Sequence, residues 1–143
     1  MNHVFTYGSL MFPEVWQRVT ASRTTGEPAR LDGFEARKLA GQTYPVLVTA
    51  PSSAVEGMLY RNVDAGALAR LDLFEGDFYA RRTVTVIPGG GGRASGEKVP
   101  AEVYAAAAED HPDILPERWL TDEFRDRHLT HFLTFDRGFA GPR

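Results

Sequence analysis

The chain contains no cysteine. That excludes disulfides, thiolate metal sites and cysteine nucleophiles. It has no apolar run near the ~18 residues a membrane-crossing helix needs. The opening "MNHVFTYGSL" lacks the basic-then-apolar order of a secretion signal. Charge of one sign is also missing, since a formal net charge of -3 gives no field for holding nucleic acid or an anionic membrane. What is present is ordinary for a globular protein: 143 residues, 43% hydrophobic and 24% charged. A chain of this length suits one domain, residues 1–143, with a substantial core. The expectation is a cytoplasmic enzyme or binding domain without nucleic-acid or membrane partners. No heptad seam is evident, and the oligomeric state is not readable.

Local patterns suggest the elements. "HVFTYG" predicts a strand at the start, broken at Gly8-Ser9. "FPEVWQRVT" predicts a helical segment, with Pro13 in its first turn and Glu14 favourable at the N-terminal dipole. "ARLDGFEARKLA" predicts a strand with a turn at Asp32-Gly33. "YPVLVTA" and "VEGMLYRN", separated by "PSSA", predict a strand pair. Asp64 is a good N-cap for "AGALARLDLFE", and Gly76 a good stop. "YARRTVTVIP" and "VPAEVYAAA" predict two further strands around a flexible "GGGGRASGEK" connection. "LPERWLTDEFRDRHLTHFL" has helical spacing through Leu120, Phe124, His128 and Phe132, starting near Pro116, and "DRGFAGPR" is too rich in Gly and Pro to extend it. A strand-rich middle with interposed helices predicts an α+β domain whose sheet curls into a barrel.

Two stretches carry candidate chemistry. In "TYGSL" a strand ends in Gly-Ser before a helix start, which gathers backbone N–H groups in a concavity suited to a carboxylate, a phosphate or a developing oxyanion. A plain strand-to-helix turn explains the same residues. In "FEGDFYARR" Glu75 ends a helix, where the dipole disfavours its ionised form, between apolar Phe74 and Phe78. Both effects raise a carboxyl pKa toward the range useful for acid/base work. Arg81 and Arg82 follow, able to pair with a carboxylate or orient an anion. Taken alone, a solvated helix-end glutamate with those arginines as surface partners explains this stretch too.

Other signals are weaker. His128 and His131 have metal-compatible spacing but no accompanying carboxylate motif. "PGGGG" lacks the GK[ST] ending of a phosphate loop. Trp16 and Trp119 read as core or cleft-wall residues, and Ser9 lacks the G-x-S-x-G nucleophile elbow.

Taken together and in order, "VFTYGSL", "YPVLV", "VEGMLYRN" and "LDLFEGDFYARRTVTV" resemble the γ-glutamylcyclotransferase-like superfamily, nearest its small bacterial and plant branch named after an avirulence-induced protein. The resemblance runs from residue 4 to about residue 86 and continues more loosely through "AEVYAA" and "ERWLTDEFRDRHLTHFL". It implies a small mixed β-barrel with flanking helices and a cavity at its mouth. It implies that Tyr7, Gly8, Ser9 and Leu10 hold the γ-glutamyl part of a small-molecule substrate. Glu75 is implied as the catalytic acid/base, with Tyr79 lining the same cavity. The implied reaction is metal-independent and cofactor-free: the substrate's α-amino group attacks its own γ-carbonyl and releases 5-oxoproline and an amine, an intramolecular acyl transfer. The departing amine, set by rim segments at 89–96 and 111–118, stays open. A non-catalytic module holding a small carboxylated metabolite, and hydrolysis of a γ-glutamyl amide, are the competing readings.

Overall fold

A computed structural model describes residues 2–22, 24–42, 44–89 and 97–128. The six strands are β1 (Asn2–Thr6), β2 (Glu27–Leu39), β3 (Pro45–Val63), β4 (Tyr79–Pro88), β5 (Val99–Ala106) and β6 (Ile114–Arg118). Two main helices, α1 (Pro13–Thr20) and α2 (Ala65–Glu75), are joined by a 3-10 turn at Ser9–Met11 and short helical turns at Thr121–Glu123 and Phe124–His128.

The strand order β3-β1-β5-β4-β2 closes through an additional β2–β3 pairing, giving a five-stranded barrel with β6 appended to β2. β1 and β5 run parallel and the other pairings are antiparallel, so the barrel is mixed. Closure leaves β6 as the added outer strand, which limits the exposed sheet edge. Phe5, Leu31, Leu47, Leu59 and Val103 fill the interior, while Trp16, Tyr60, Leu71 and Phe124 pack beneath the helices. Trp16 is fully buried and stacks on Tyr60 with ring centroids 3.7 Å apart.

The helices follow their local signals. Pro13 opens α1, and Asp64 caps α2 by accepting from the Ala67 N–H at 2.8 Å. Gly76 ends α2 with a φ of 71°, which a side chain rarely adopts.

Three expectations need correction. Asp32-Gly33 is a bulge within continuous β2, with Gly33 at φ 86°. "YPVLVTA" and "VEGMLYRN" are one long strand, not partners. Both pair with β2, and the "PSSA" segment is absorbed where β2 advances from Asp32 to Phe34 while β3 goes from Ala54 to Thr49. Pro116 lies in β6, on an edge where its missing N–H is tolerated, and the helical turn begins at Thr121. The 90–96 connection, His131, Phe132 and the "DRGFAGPR" tail lie outside the described residues.

Candidate active site

α2 carries the central group. Leu68, Leu71 and Glu75 follow each other at i, i+3 and i+7, so they share one helix face, and all three are buried. The helix therefore drives a carboxyl inward along with two leucines. Glu75 is 8% exposed, and among the described residues nothing donates a hydrogen bond to it. Burial without a compensating donor pushes its pKa well above the ordinary carboxyl value.

Opposite α2, the chain leaves β1 through Tyr7 and Gly8 into the 3-10 turn. The Met11 N–H donates to the Gly8 carbonyl at 2.9 Å and the Phe12 N–H to the Ser9 carbonyl at 3.2 Å. The Ser9 and Leu10 amides head this turn and find no carbonyl within it. Gly8 must be glycine for packing reasons: a Cβ there would sit 2.7 Å from Pro45 Cγ.

Between these elements lies a cleft of about 370 Å³, measured out to its solvent-open mouth. Tyr7, Gly8, Ser9, Leu10, Glu75 and Tyr79 all line it. Phe5, Thr6, Tyr44, Pro45 and Tyr104 complete its walls, and no role was read for them from the sequence. Tyr44 and Pro45 stand in the "YPVLV" stretch, the one sequence signal available for them.

Two of the cleft tyrosines are held by backbone carbonyls. Tyr79 Oη donates to the Pro45 carbonyl at 2.7 Å, and Tyr7 Oη donates to the Tyr104 carbonyl. Tyr104 Oη in turn donates to Asp72 Oδ1 at 2.6 Å, one turn before Glu75 on α2. This bond ties the last turn of α2 to β5. Burial raises the pKa values of Tyr7 and Tyr104, and the Glu75 carboxylate adds to both. Neutral phenols therefore surround the carboxyl at neutral pH.

The two arginines are engaged elsewhere. Arg81 Nε lies 3.5 Å from Asp72 Oδ1 and 3.7 Å from Glu102 Oε1, and the Arg82 guanidinium sits 5.2 Å over the Phe34 ring. Neither lines the cleft. They follow Tyr79 on β4, and both are exposed.

A closed mixed barrel with a buried carboxyl at its mouth defines the γ-glutamylcyclotransferase fold class. Comparison with known proteins agrees. The chain belongs to the family described as gamma-glutamyl cyclotransferase, AIG2-like, whose sequence model matches residues 4–121. Protein AIG2 C of Arabidopsis thaliana is 33% identical over 132 residues, 92% of this chain and 77% of that protein. A solution structure of an Arabidopsis thaliana protein superposes with a TM-score of 0.71 at 32% identity, covering 97% of this chain and 81% of that one. A structure described as gamma-glutamyl cyclotransferase shares the fold at a TM-score of 0.57 and 18% identity, covering 74% and 66% of the two chains. Among the described residues, no helix is long and apolar enough to cross a membrane.

Proposed function

We propose that the protein is a γ-glutamylamine cyclotransferase, with Glu75 as the acid/base and the Tyr7–Leu10 loop holding the γ-glutamyl group. One observation carries the reading: a buried carboxyl with no hydrogen-bond donor among the described residues lines the same cleft as the loop's Ser9 and Leu10. A carboxylate in that state is short of partners, and an ammonium ion is the partner it lacks.

The chemistry follows from that need. At neutral pH the substrate's α-amino group is mostly an ammonium and cannot attack. Ionised Glu75 takes a proton from it. The freed amine attacks the γ-carbonyl carbon, a new C–N bond closes the five-membered ring, and charge collects on the carbonyl oxygen. Glu75 then gives its proton to the departing nitrogen, the carbonyl re-forms as the old C–N bond breaks, and the ring nitrogen sheds its remaining extra proton to the freed amine, so that 5-oxoproline leaves with an ammonium ion. Glu75 ends ionised, as it began. Proton transfer of this kind is worth ~10²–10⁴-fold. Amides at the head of the 3-10 turn suit the substrate's α-carboxylate or the developing oxyanion. Nucleophile and electrophile belong to one molecule, so holding it folded supplies much of the remaining acceleration.

The test is product identity. Incubation with γ-glutamyl amides and amino acids should yield 5-oxoproline in amounts equal to the released amine. Glutamate as the product would instead mean hydrolysis. Ligand binding without turnover of any γ-glutamyl compound would mean a binding module.

A further inference from the structure

Proton transfer at Glu75 and charge stabilisation at the loop require the two to stand at a fixed distance. Glu75 ends α2, while the Ser9 and Leu10 amides head the turn that follows β1. These elements lie far apart in the chain, so the gap is set by whatever reaches from one to the other. Tyr104, on β5, bonds to both sides.

We propose that Tyr104 is a positioning residue: its phenol holds the last turn of α2, its backbone carbonyl holds the Tyr7–Leu10 loop, and together they fix the distance from the Glu75 carboxyl to the loop amides. The inference rests on the cyclotransferase reading and adds to it a residue that acts through two others. Nothing in the residue order around Tyr104 marks it for this role.

On the helix side, Tyr104 Oη donates to Asp72 Oδ1 at 2.6 Å, the length of a charge-assisted bond to a carboxylate. Asp72 stands one turn before Glu75, and its carbonyl accepts the Gly76 N–H at 3.1 Å, directly after Glu75. A pull on Asp72 is therefore a pull on the backbone that carries the carboxyl. Arg81 backs the same contact, 3.5 Å from Asp72 Oδ1 and 3.7 Å from Glu102 Oε1. Glu102 Oε2 in turn accepts from Thr83 Oγ1 at 2.6 Å, so β4 and β5 together brace the Asp72 carboxylate.

On the loop side, Tyr7 Oη donates to the Tyr104 carbonyl, and the Leu47 backbone bonds the same phenol. Sheet pairing stops short of this point. β1 ends at Thr6, which registers with Met58 on β3, and β1 meets β5 at Val4 and Glu102. Tyr7 is the next residue and opens the loop, so its phenol takes over where the ladder ends. Tyr7 and Tyr104 are both buried, which strengthens the bond between them. Burial, and then the bond to Asp72, hold the Tyr104 phenol protonated, with its proton committed to Asp72. Tyr104 therefore acts by placement and not by proton transfer.

The experiment measures kcat and KM for 5-oxoproline release, using whichever γ-glutamyl amide or amino acid the native protein turns over fastest. The proteins are the native chain, Tyr104→Phe, Tyr7→Phe and the double variant, each shown to be folded by circular dichroism. Tyr104→Phe keeps the ring and the carbonyl and removes only the bond to Asp72. A misplacement of about 1 Å costs on the order of 10²-fold, so loss of one anchor should lower kcat by about tenfold. KM should stay within about twofold of native, because the loop amides remain in place. The two bonds act in series, so cutting both should cost no more than the larger single loss, whereas independent structural effects multiply. Asp72→Asn, whose amide oxygen still accepts the phenol, should recover most of the kcat lost in Asp72→Ala. A native kcat in Tyr104→Phe, losses that multiply in the double variant, or equal losses in Asp72→Asn and Asp72→Ala overturn the positioning role and leave the cyclotransferase reading intact. No 5-oxoproline from the native protein with any γ-glutamyl compound overturns both.

Discussion

Replacing Glu75 by glutamine should stabilise the folded protein at neutral pH and change it little in acid. The folded-state pKa of Glu75 is raised by burial, with no donor among the described residues to relieve it. Between the ordinary carboxyl pKa and that raised value, the folded chain keeps a proton the unfolded chain has lost. Stability therefore falls as pH rises through this window and levels off above the folded pKa. The cost is about 1.4 kcal/mol for every tenfold by which burial weakens the acid. Glutamine has nearly the same shape and no charge, so it escapes this cost. Its neutral amide is also unpaired, at about 1–3 kcal/mol, but protonated glutamic acid shares that burden. The two proteins should thus melt together near pH 4.5, and the variant should gain as pH rises above it until the folded pKa is passed. A domain of this size shifts by about 2–4 °C per kcal/mol, which makes the gain readable as a change in melting temperature. Thermal unfolding from pH 4.5 to 8.5, followed by circular dichroism, reads it directly. A difference in melting temperature that is the same at every pH, or a less stable variant at pH 8, would refute the assignment of Glu75 as a carboxyl destabilised by burial.

Other changes test the frame around it. In Gly57→Ala the new Cβ would sit 2.0 Å from the Thr6 carbonyl oxygen and 2.8 Å from Phe5 Cζ, so β1 and β3 must separate. The cost should reach or exceed the ~1–3 kcal/mol of ordinary overpacking, visible as a lower urea midpoint. Asp64→Ala removes the α2 cap and should cost about 1 kcal/mol of stability in the same titration. For 5-oxoproline release by the native protein, kcat/KM should be lost as pH falls through the raised Glu75 pKa, because only the ionised carboxylate can take the substrate's proton. An acid limb at the ordinary carboxyl pKa would speak against a buried base.

Much of this frame was readable from residue order. Pro13, the Asp64 cap and the Gly76 stop are local signals, and α1 and α2 begin and end with them. The failures are long-range. Nothing local distinguishes "PSSA" as a hairpin from "PSSA" as slack in a strand whose two halves pair with β2, because the difference lies in the partner's register. Pro116 suits a helix start and an edge strand equally, and only the position of β6 outside β2 decides. At the site, Glu75 and the Tyr7–Leu10 loop were legible as motifs. Arg81 and Arg82 were not, since their partners Asp72, Glu102 and Phe34 are brought to them by α2, β5 and β2.

The central claim is that Glu75 moves the proton in both halves of the reaction. Its most direct measurement is the rate of 5-oxoproline release from a γ-glutamyl amine by Glu75→Gln beside the native protein, with both shown to be folded. The account predicts a fall in kcat of ~10²–10⁴-fold with KM little changed, because the glutamine preserves the cleft and removes only the base. Release within a few-fold of the native rate would contradict it.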